Sequence, residues 1–227
     1  MFFAGSLMPA DLCASTGSSP NSLFRVKYFR MLTKTEMVWR HLLVGALDQA
    51  RRRSSITELS QELGLAATTI HRALERPRSI GAVLGTARGL RVLDPKRLLL
   101  LWAATRDLAG DILYSTQVRK SAAEIEAHLP PAAIPSAITA FVRHEGRNLV
   151  ADYDQVVVYG NGPELRRLFP AARGEANLLA LEPDPLLRRY GAVVPRCQVY
   201  VDLFNLPGWQ AQRFLNALER ELFSDVP

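Results

Sequence analysis

Cysteine is almost missing from this chain. Cys13 and Cys197 are the only two; they make no metal-ligand spacing, and one potential pair is no disulfide framework. Such usage fits a reducing cytoplasm. Long apolar runs are missing as well. The longest, Leu98 to Ala104, falls far short of the ~20 residues that a bilayer-crossing helix requires, so no membrane role is expected. The first residues, MFFAGSLMPADLCASTGSSP, lack the positive segment of a secretory signal. Their Ser, Gly and Pro content marks residues 1–34 as a disordered lead-in, with Met31 an alternative start.

Signs of catalysis are equally thin. The histidines His41, His71, His128 and His144 form no close-spaced ligand set. His41 and His128 fall in helical patterns, where solvent exposure is the ordinary expectation. No Ser/His/Asp or Cys/His arrangement follows from spacing. No glycine-rich loop stands where a phosphate cradle would need it; Gly160-Asn161-Gly162 after an apolar run reads as a turn. The acidic candidates are Asp152 with Asp154, Glu182 with Asp184, and Asp202. Two carboxylates spaced Asp-x-Asp can hold a divalent cation for phosphoryl transfer, but the same spacing is common in turns, where the side chains bond nearby amides. The expectation is therefore a protein that is not an enzyme and has no cofactor or metal.

What the chain does carry is ordinary globular composition and an uneven charge. At 227 residues, 48% hydrophobic and 22% charged, it can form one large or two modest domains with real cores. The net charge of +6 is concentrated in the first half. Residues 1–110 hold 16 Lys and Arg against 8 Asp and Glu, a net +8, whereas residues 111–227 hold 12 against 14, a net −2. Cations set against phosphates release counterions and supply most non-specific DNA affinity.

The most informative stretch is Ser54 to Leu93. Ser55 and Glu58 make a capping box. Ile56, Leu59 and Leu63 repeat with helical spacing, and Gly64 supplies the left-handed residue that often ends a helix. A second short helix follows, with Ile70, Ala73 and Leu74 inward and Thr68, Thr69, His71 and Arg72 outward. After Pro77, the runs Ala82-Val83-Leu84 and Leu90-Arg91-Val92-Leu93 flank a glycine-bearing loop, a hairpin pattern with Arg88 near its tip. Helix, turn, helix, hairpin is the order of a winged helix-turn-helix. Ala66, where many such proteins have Ser or Thr, leaves the second helix without a side-chain cap, costing about 1 kcal/mol.

Flanking segments complete the first half. Val38, Leu42, Leu43 and Leu47 predict a supporting helix over Glu36 to Ala50, followed by Arg51, Arg52 and Arg53. That run is either a solvated helix end near the negative dipole pole or a phosphate contact. Asp94-Pro95 predicts an N-cap with proline at the first helical position, opening an apolar helix, Lys96 to Asp107, that joins two domains near Gly110.

The second half alternates. Strands are expected at Ile112-Leu113-Tyr114, Val156 to Tyr159 and Asn177 to Leu181. Helices are expected at Ser121 to Leu129, Ile134 to His144, Glu164 to Phe169, Arg196 to Leu206 and Trp209 to Phe223. The fold class is thus α+β, divided into the lead-in 1–34, a winged helix-turn-helix over 35–109 and a small α/β domain over 110–227 ending in two helices.

The second half also resembles a known family. Val156 to Tyr159, Asn177 to Pro183 and above all VPRCQVYVDLFNLPGWQAQRFLNALE are similar to the C-terminal domain of AbiEi-type antitoxins, transcriptional regulators of type IV toxin–antitoxin systems. Gln198 to Leu203 followed by Pro207-Gly208 is the part most like the family, although Trp209 stands where a basic residue is frequent. The resemblance implies a repressor that binds double-stranded operator DNA at inverted repeats upstream of its own operon and opposes a nucleotidyltransferase-like toxin. Arg51, Arg52, Arg53, Thr68, Thr69, His71, Arg72 and Arg88 are the candidate DNA contacts. A chain with one such motif can bind half-sites as a dimer or as separate monomers. The alternative is a protein-interaction module that uses the winged helix and the amphipathic last helix without sequence-specific DNA binding.

Overall fold

A computed structural model describes residues 32–49, 51–86, 89–148 and 150–223. Among them, nine α-helices and two small sheets make a mixed helix-and-strand molecule.

Helix α1 (Lys34–Leu47) opens on a capping box: the Thr33 hydroxyl accepts from the Glu36 amide, and the Glu36 carboxylate accepts from the Thr33 amide at 2.9 Å. The expected lead-in therefore ends early, because Leu32 is already 2% exposed in the core; its remainder lies outside the described residues. After the arginine run comes a strand too short to foresee, β1 (Arg53–Ser54). Helix α2 (Ile56–Leu63) has the expected Ser55–Glu58 box and ends at Gly64, whose φ of 64° is left-handed. Helix α3 (Ala67–Ser79) begins at Ala66 with no side-chain cap.

Pro77 lies inside α3. Having no N–H, it leaves the Ala73 carbonyl without its helical partner. The Trp39 indole Nε1, from α1, donates to that carbonyl at 2.7 Å, so α1 repairs the break and fixes how α3 sits.

Strands β2 (Val83–Thr86) and β3 (Gly89–Val92) form the hairpin; residues 87 and 88 lie outside the described residues. The link is two residues, not the five expected. The sheet is antiparallel in the order β1-β3-β2, with Arg53 and Leu84 both opposite Arg91 and Ser54 opposite Leu90. Its period-2 pattern buries Ser54, Val83, Leu90 and Val92 and turns Arg53, Leu84 and Arg91 outward. Asp94 caps α4 (Pro95–Thr105) through the Arg97 amide at 2.8 Å.

The second half holds β4 (Ile112–Thr116), α5 (Ala122–Ala127), β5 (Ile134–Ser136), α6 (Ala137–Glu145), β6 (Val156–Tyr159), α7 (Gly162–Leu168), β7 (Leu178–Leu181), α8 (Arg196–Phe204) and α9 (Trp209–Phe223). The sheet order is β4-β7-β6-β5, with β6 and β7 parallel across α7 and the other pairs antiparallel. The helix expected over Ile134 to His144 is in its first three residues a strand. Cross-strand pairing with β6 overrides local propensity there, and Pro135 is tolerated because β5 is the edge strand. The change of direction falls on Ala137, buried with φ of 48°, a left-handed conformation that costs an L-residue about 1–2 kcal/mol.

The sheet is covered on both faces, which is why its central strands are apolar throughout. Val157, Tyr159, Leu179 and Leu181 face the main core; Val156, Val158, Leu178 and Ala180 face a smaller one with Ile125, Leu165 and Phe169. The main core is continuous from α1, α3 and α4 to α6, α8 and α9.

A buried polar seam joins the halves. Arg40 of α1 donates to both Asp184 oxygens at 2.7 Å and to Gln198 Oε1 at 2.9 Å. Arg106, just after α4, pairs with Asp111, lies 3.7 Å from Glu36 and sets its Nε 3.6 Å from Asp202 Oδ1. Asp202 Oδ2 accepts from Ser136 at 2.6 Å and Tyr159 at 2.8 Å. Two of the acidic candidates for chemistry, Asp184 and Asp202, are thus ion-paired to arginines of the first half. Burial in this seam pushes the Asp111 carboxyl up to about 6, against the opposing pull of Arg106.

Candidate nucleic-acid interface

The helical period sorts α3 into two faces. Ile70, Ala73, Leu74 and Pro77 are buried; Ala67, Thr68, His71, Arg72, Glu75, Arg76 and Ser79 are exposed, one continuous stripe along the helix. Thr69 sits at the border, half-buried. Of the predicted contacts on this helix, Thr68, His71 and Arg72 therefore share a solvent face. Arg76 extends it by one turn beyond Arg72 and was missed by sequence reasoning, although the i+4 spacing from Arg72 was there to find it.

The arginine run divides. Arg52 and Arg53 are exposed. Arg51 turns back on the protein: its guanidinium donates to both Glu62 oxygens, at 3.1 and 3.0 Å. That bond holds the Glu62 carboxyl down at about 2. His41, expected to be exposed, is half-buried and completes the cluster, with Nε2 2.5 Å from Glu62 and Nδ1 3.2 Å from the Tyr190 hydroxyl. Burial lowers its pKa below 6.5, outweighing the Glu62 carboxylate. Arg51 thus braces α1 to α2 while its side chain stays 39% exposed.

A further cation emerges from the sheet. Arg91 is exposed and sits directly opposite Arg53 in the β1–β3 register. Like charges across a strand pair repel, so this outward pair favours an anion. The alternation Leu90 in, Arg91 out, Val92 in could have flagged it from sequence. Arg78 lies instead over Gly85 of β2, leaving room there because glycine has no side chain. Arg88 is outside the described residues.

Asp152 and Asp154 are both exposed on the extended approach to β6, and among the described residues no group of three His, Cys, Asp or Glu could hold a metal ion. His128 is exposed, its Nδ1 2.6 Å from the Glu124 carbonyl, and Cys197 is fully buried with its thiol pKa pushed up by that burial. No described helix is long and apolar enough to cross a membrane.

Comparison with family models, with curated proteins and with solved structures finds no match to this chain.

Proposed function

We propose that this protein is a DNA-binding transcriptional regulator whose first half is a winged helix-turn-helix, with α3 as the recognition helix. The observation that carries the reading is the outer stripe of α3: Thr68, His71, Arg72 and Arg76 are displayed together while the opposite face is buried. A helix of this kind fits the major groove, where Arg reads guanine and Thr or His reaches bases or phosphate. The order α1-β1-α2-α3-β2-β3, the left-handed Gly64 between α2 and α3, the three-stranded sheet and the outward Arg53–Arg91 pair support it. On the resemblance of the second half, the regulator is the antitoxin of a type IV pair, repressing its own operon and opposing a nucleotidyltransferase-like toxin.

The test is fluorescence anisotropy with the DNA upstream of the gene, against a scrambled duplex, over a salt series. Arg72→Ala should cost on the order of 1–3 kcal/mol and relax sequence preference. The pair Arg53→Ala, Arg91→Ala should weaken binding to both duplexes and flatten the salt slope. Parent-like binding by Arg72→Ala would remove α3 as the reading element.

A second reading, a protein-docking module, is favoured by Trp209, 62% exposed at the start of α9, and by Phe204 nearby in sequence, 44% exposed. Co-purification of the neighbouring gene's product that is lost on Trp209→Ala, with no selective DNA binding by the parent, would establish it.

A further inference from the structure

Beyond the C-terminal ends of the parallel strands β6 and β7 lies a cleft of about 910 Å³. Crevices at this edge of a sheet with parallel strands are where small ligands commonly bind, and the volume is that of a small-molecule site. Its apolar walls are Leu113, Ile134, Pro163 and Pro183; its charged groups are Glu164, Glu182, Arg166 and Arg188. Among the described residues neither carboxylate meets a hydrogen-bond or ion-pair partner. Arg166 is stacked on Tyr114, 5.0 Å from the ring centre, and Arg188 is anchored by the Ala132 carbonyl at 2.8 Å. Both guanidiniums keep further N–H donors for an anion.

One side of this cleft is also the strap that holds the first half. Along residues 182–190, cleft and anchor residues alternate. Glu182 and Pro183 line the cleft, and Asp184 next to them pairs with Arg40 of α1. Arg188 lines the cleft, while Arg189 donates to the Glu62 carbonyl in the last turn of α2. Tyr190 meets His41 and lies under the Arg40 guanidinium, 4.6 Å from its ring centre. The carbonyl end of a helix attracts cations, so Arg189 supports the C-terminus of α2. Arg188 and Arg189 are consecutive in the chain, so the cleft and the anchor on α2 share one backbone segment.

We infer that the cleft binds a small zwitterion, a free α-amino acid with an apolar side chain, and that its occupancy is transmitted through residues 182–190 to α1 and α2. The ligand's ammonium goes to Glu164 and Glu182, its carboxylate to Arg166 and Arg188, and its side chain to the apolar walls. No covalent step is involved. For a protein that reads DNA through α3, the cleft would make operator occupancy responsive to amino-acid supply, and that consequence rests on the function proposed above. Binding and the response of α2 do not, so they are measured without nucleic acid.

The experiment titrates the full chain with L-leucine, L-methionine and L-phenylalanine by calorimetry, with N-acetyl-L-phenylalanine amide, which lacks both charges, as the control. Amide hydrogen exchange over residues 56–63 is followed with and without saturating ligand. The expected result is binding of at least one free amino acid and not of the capped analogue, weakened on the order of tenfold by Glu182→Gln or Arg188→Ala, each of which removes a charge-assisted bond. Exchange over α2 should slow on binding. Arg189→Ala, an exposed position outside the cleft, should retain affinity but lose that slowing. No binding by any of the three, equal binding of the capped analogue, or exchange over α2 unmoved at saturation would each overturn the inference.

Discussion

The bond from Trp39 to the Ala73 carbonyl makes a sharp prediction, because Pro77 lacks the amide that would otherwise bond that carbonyl. Trp39 is 3% exposed and Ala73 is 1% exposed, so water cannot replace the indole. Trp39→Phe should leave a buried carbonyl unpaired, costing about 1–3 kcal/mol, and should add about 1 kcal/mol for the smaller ring. In a Pro77→Ala background the amide N–H gained at that position reaches the same carbonyl by the ordinary i to i−4 bond. There Trp39→Phe should cost only its packing share. The double-mutant cycle should therefore give a coupling of about 1–3 kcal/mol, the double mutant being more stable than the sum of the single changes implies. Pro77→Ala also changes the unfolded chain, but that contribution appears on both sides of the cycle and cancels. Urea unfolding at fixed pH measures it, with unchanged m-values required of all four proteins; for a chain of this size 1 kcal/mol is about 2–4 °C in Tm. Additivity within about 0.5 kcal/mol would refute the proposed exchange of donors.

Other consequences follow from the buried seam and the backbone. Asp184→Ala strands the Arg40 guanidinium at 0% exposure; it should destabilise by about 3–5 kcal/mol, whereas an apolar replacement of both partners should cost far less. Stability should fall as the pH drops through about 6.5, because unfolded His41 binds its proton before the folded one does. Glu62, held at about 2, adds its loss only below 4.5 and, being partly exposed, contributes modestly. Asp111 acts in the opposite sense between 3.8 and about 6, since its folded carboxyl keeps the proton longer. The difference between the parent and His41→Gln isolates the histidine: the variant's urea midpoint should vary less over the same range, and equal slopes would exclude His41. Ala137→Gly should be close to neutral in the same assay. The release of left-handed strain, about 1–2 kcal/mol, offsets the entropy that glycine ordinarily loses.

How legible these features were depends on how local their physics is. The Ser55–Glu58 box, the left-handed Gly64, the Asp94-Pro95 helix start and the α9 bounds Trp209 and Phe223 depend on interactions within a few residues, and each is where the spacing placed it. β1 could not be read, since two residues carry no period and the strand exists only because β3 pairs with it. Ile134 to Ser136 was misread for the same reason: its pairing partner is β6, over twenty residues further along the chain. On the candidate interface, the outward placing of Thr68, His71 and Arg72 follows from the helical period, whereas Thr69, expected outward as well, is half-buried. The fate of Arg51 does not, because nothing near it in sequence announces the Glu62 carboxylate or the His41 ring.

The segment Gln198 to Leu203 works inside the molecule and not at its surface. Gln198 to Leu203 is buried throughout: Gln198 accepts from Arg40, Asp202 sits beside Arg106 and accepts from Tyr159, and the apolar residues join the main core. Its polar positions hold α8 against α1 and against the residue that follows α4, the elements on which the proposed DNA-reading helices rest. A partner approaching from solvent would meet Phe204 and Trp209 instead, which stand just outside that motif and remain exposed. The segment therefore lies in the join between the two halves, not on a surface that a partner could reach.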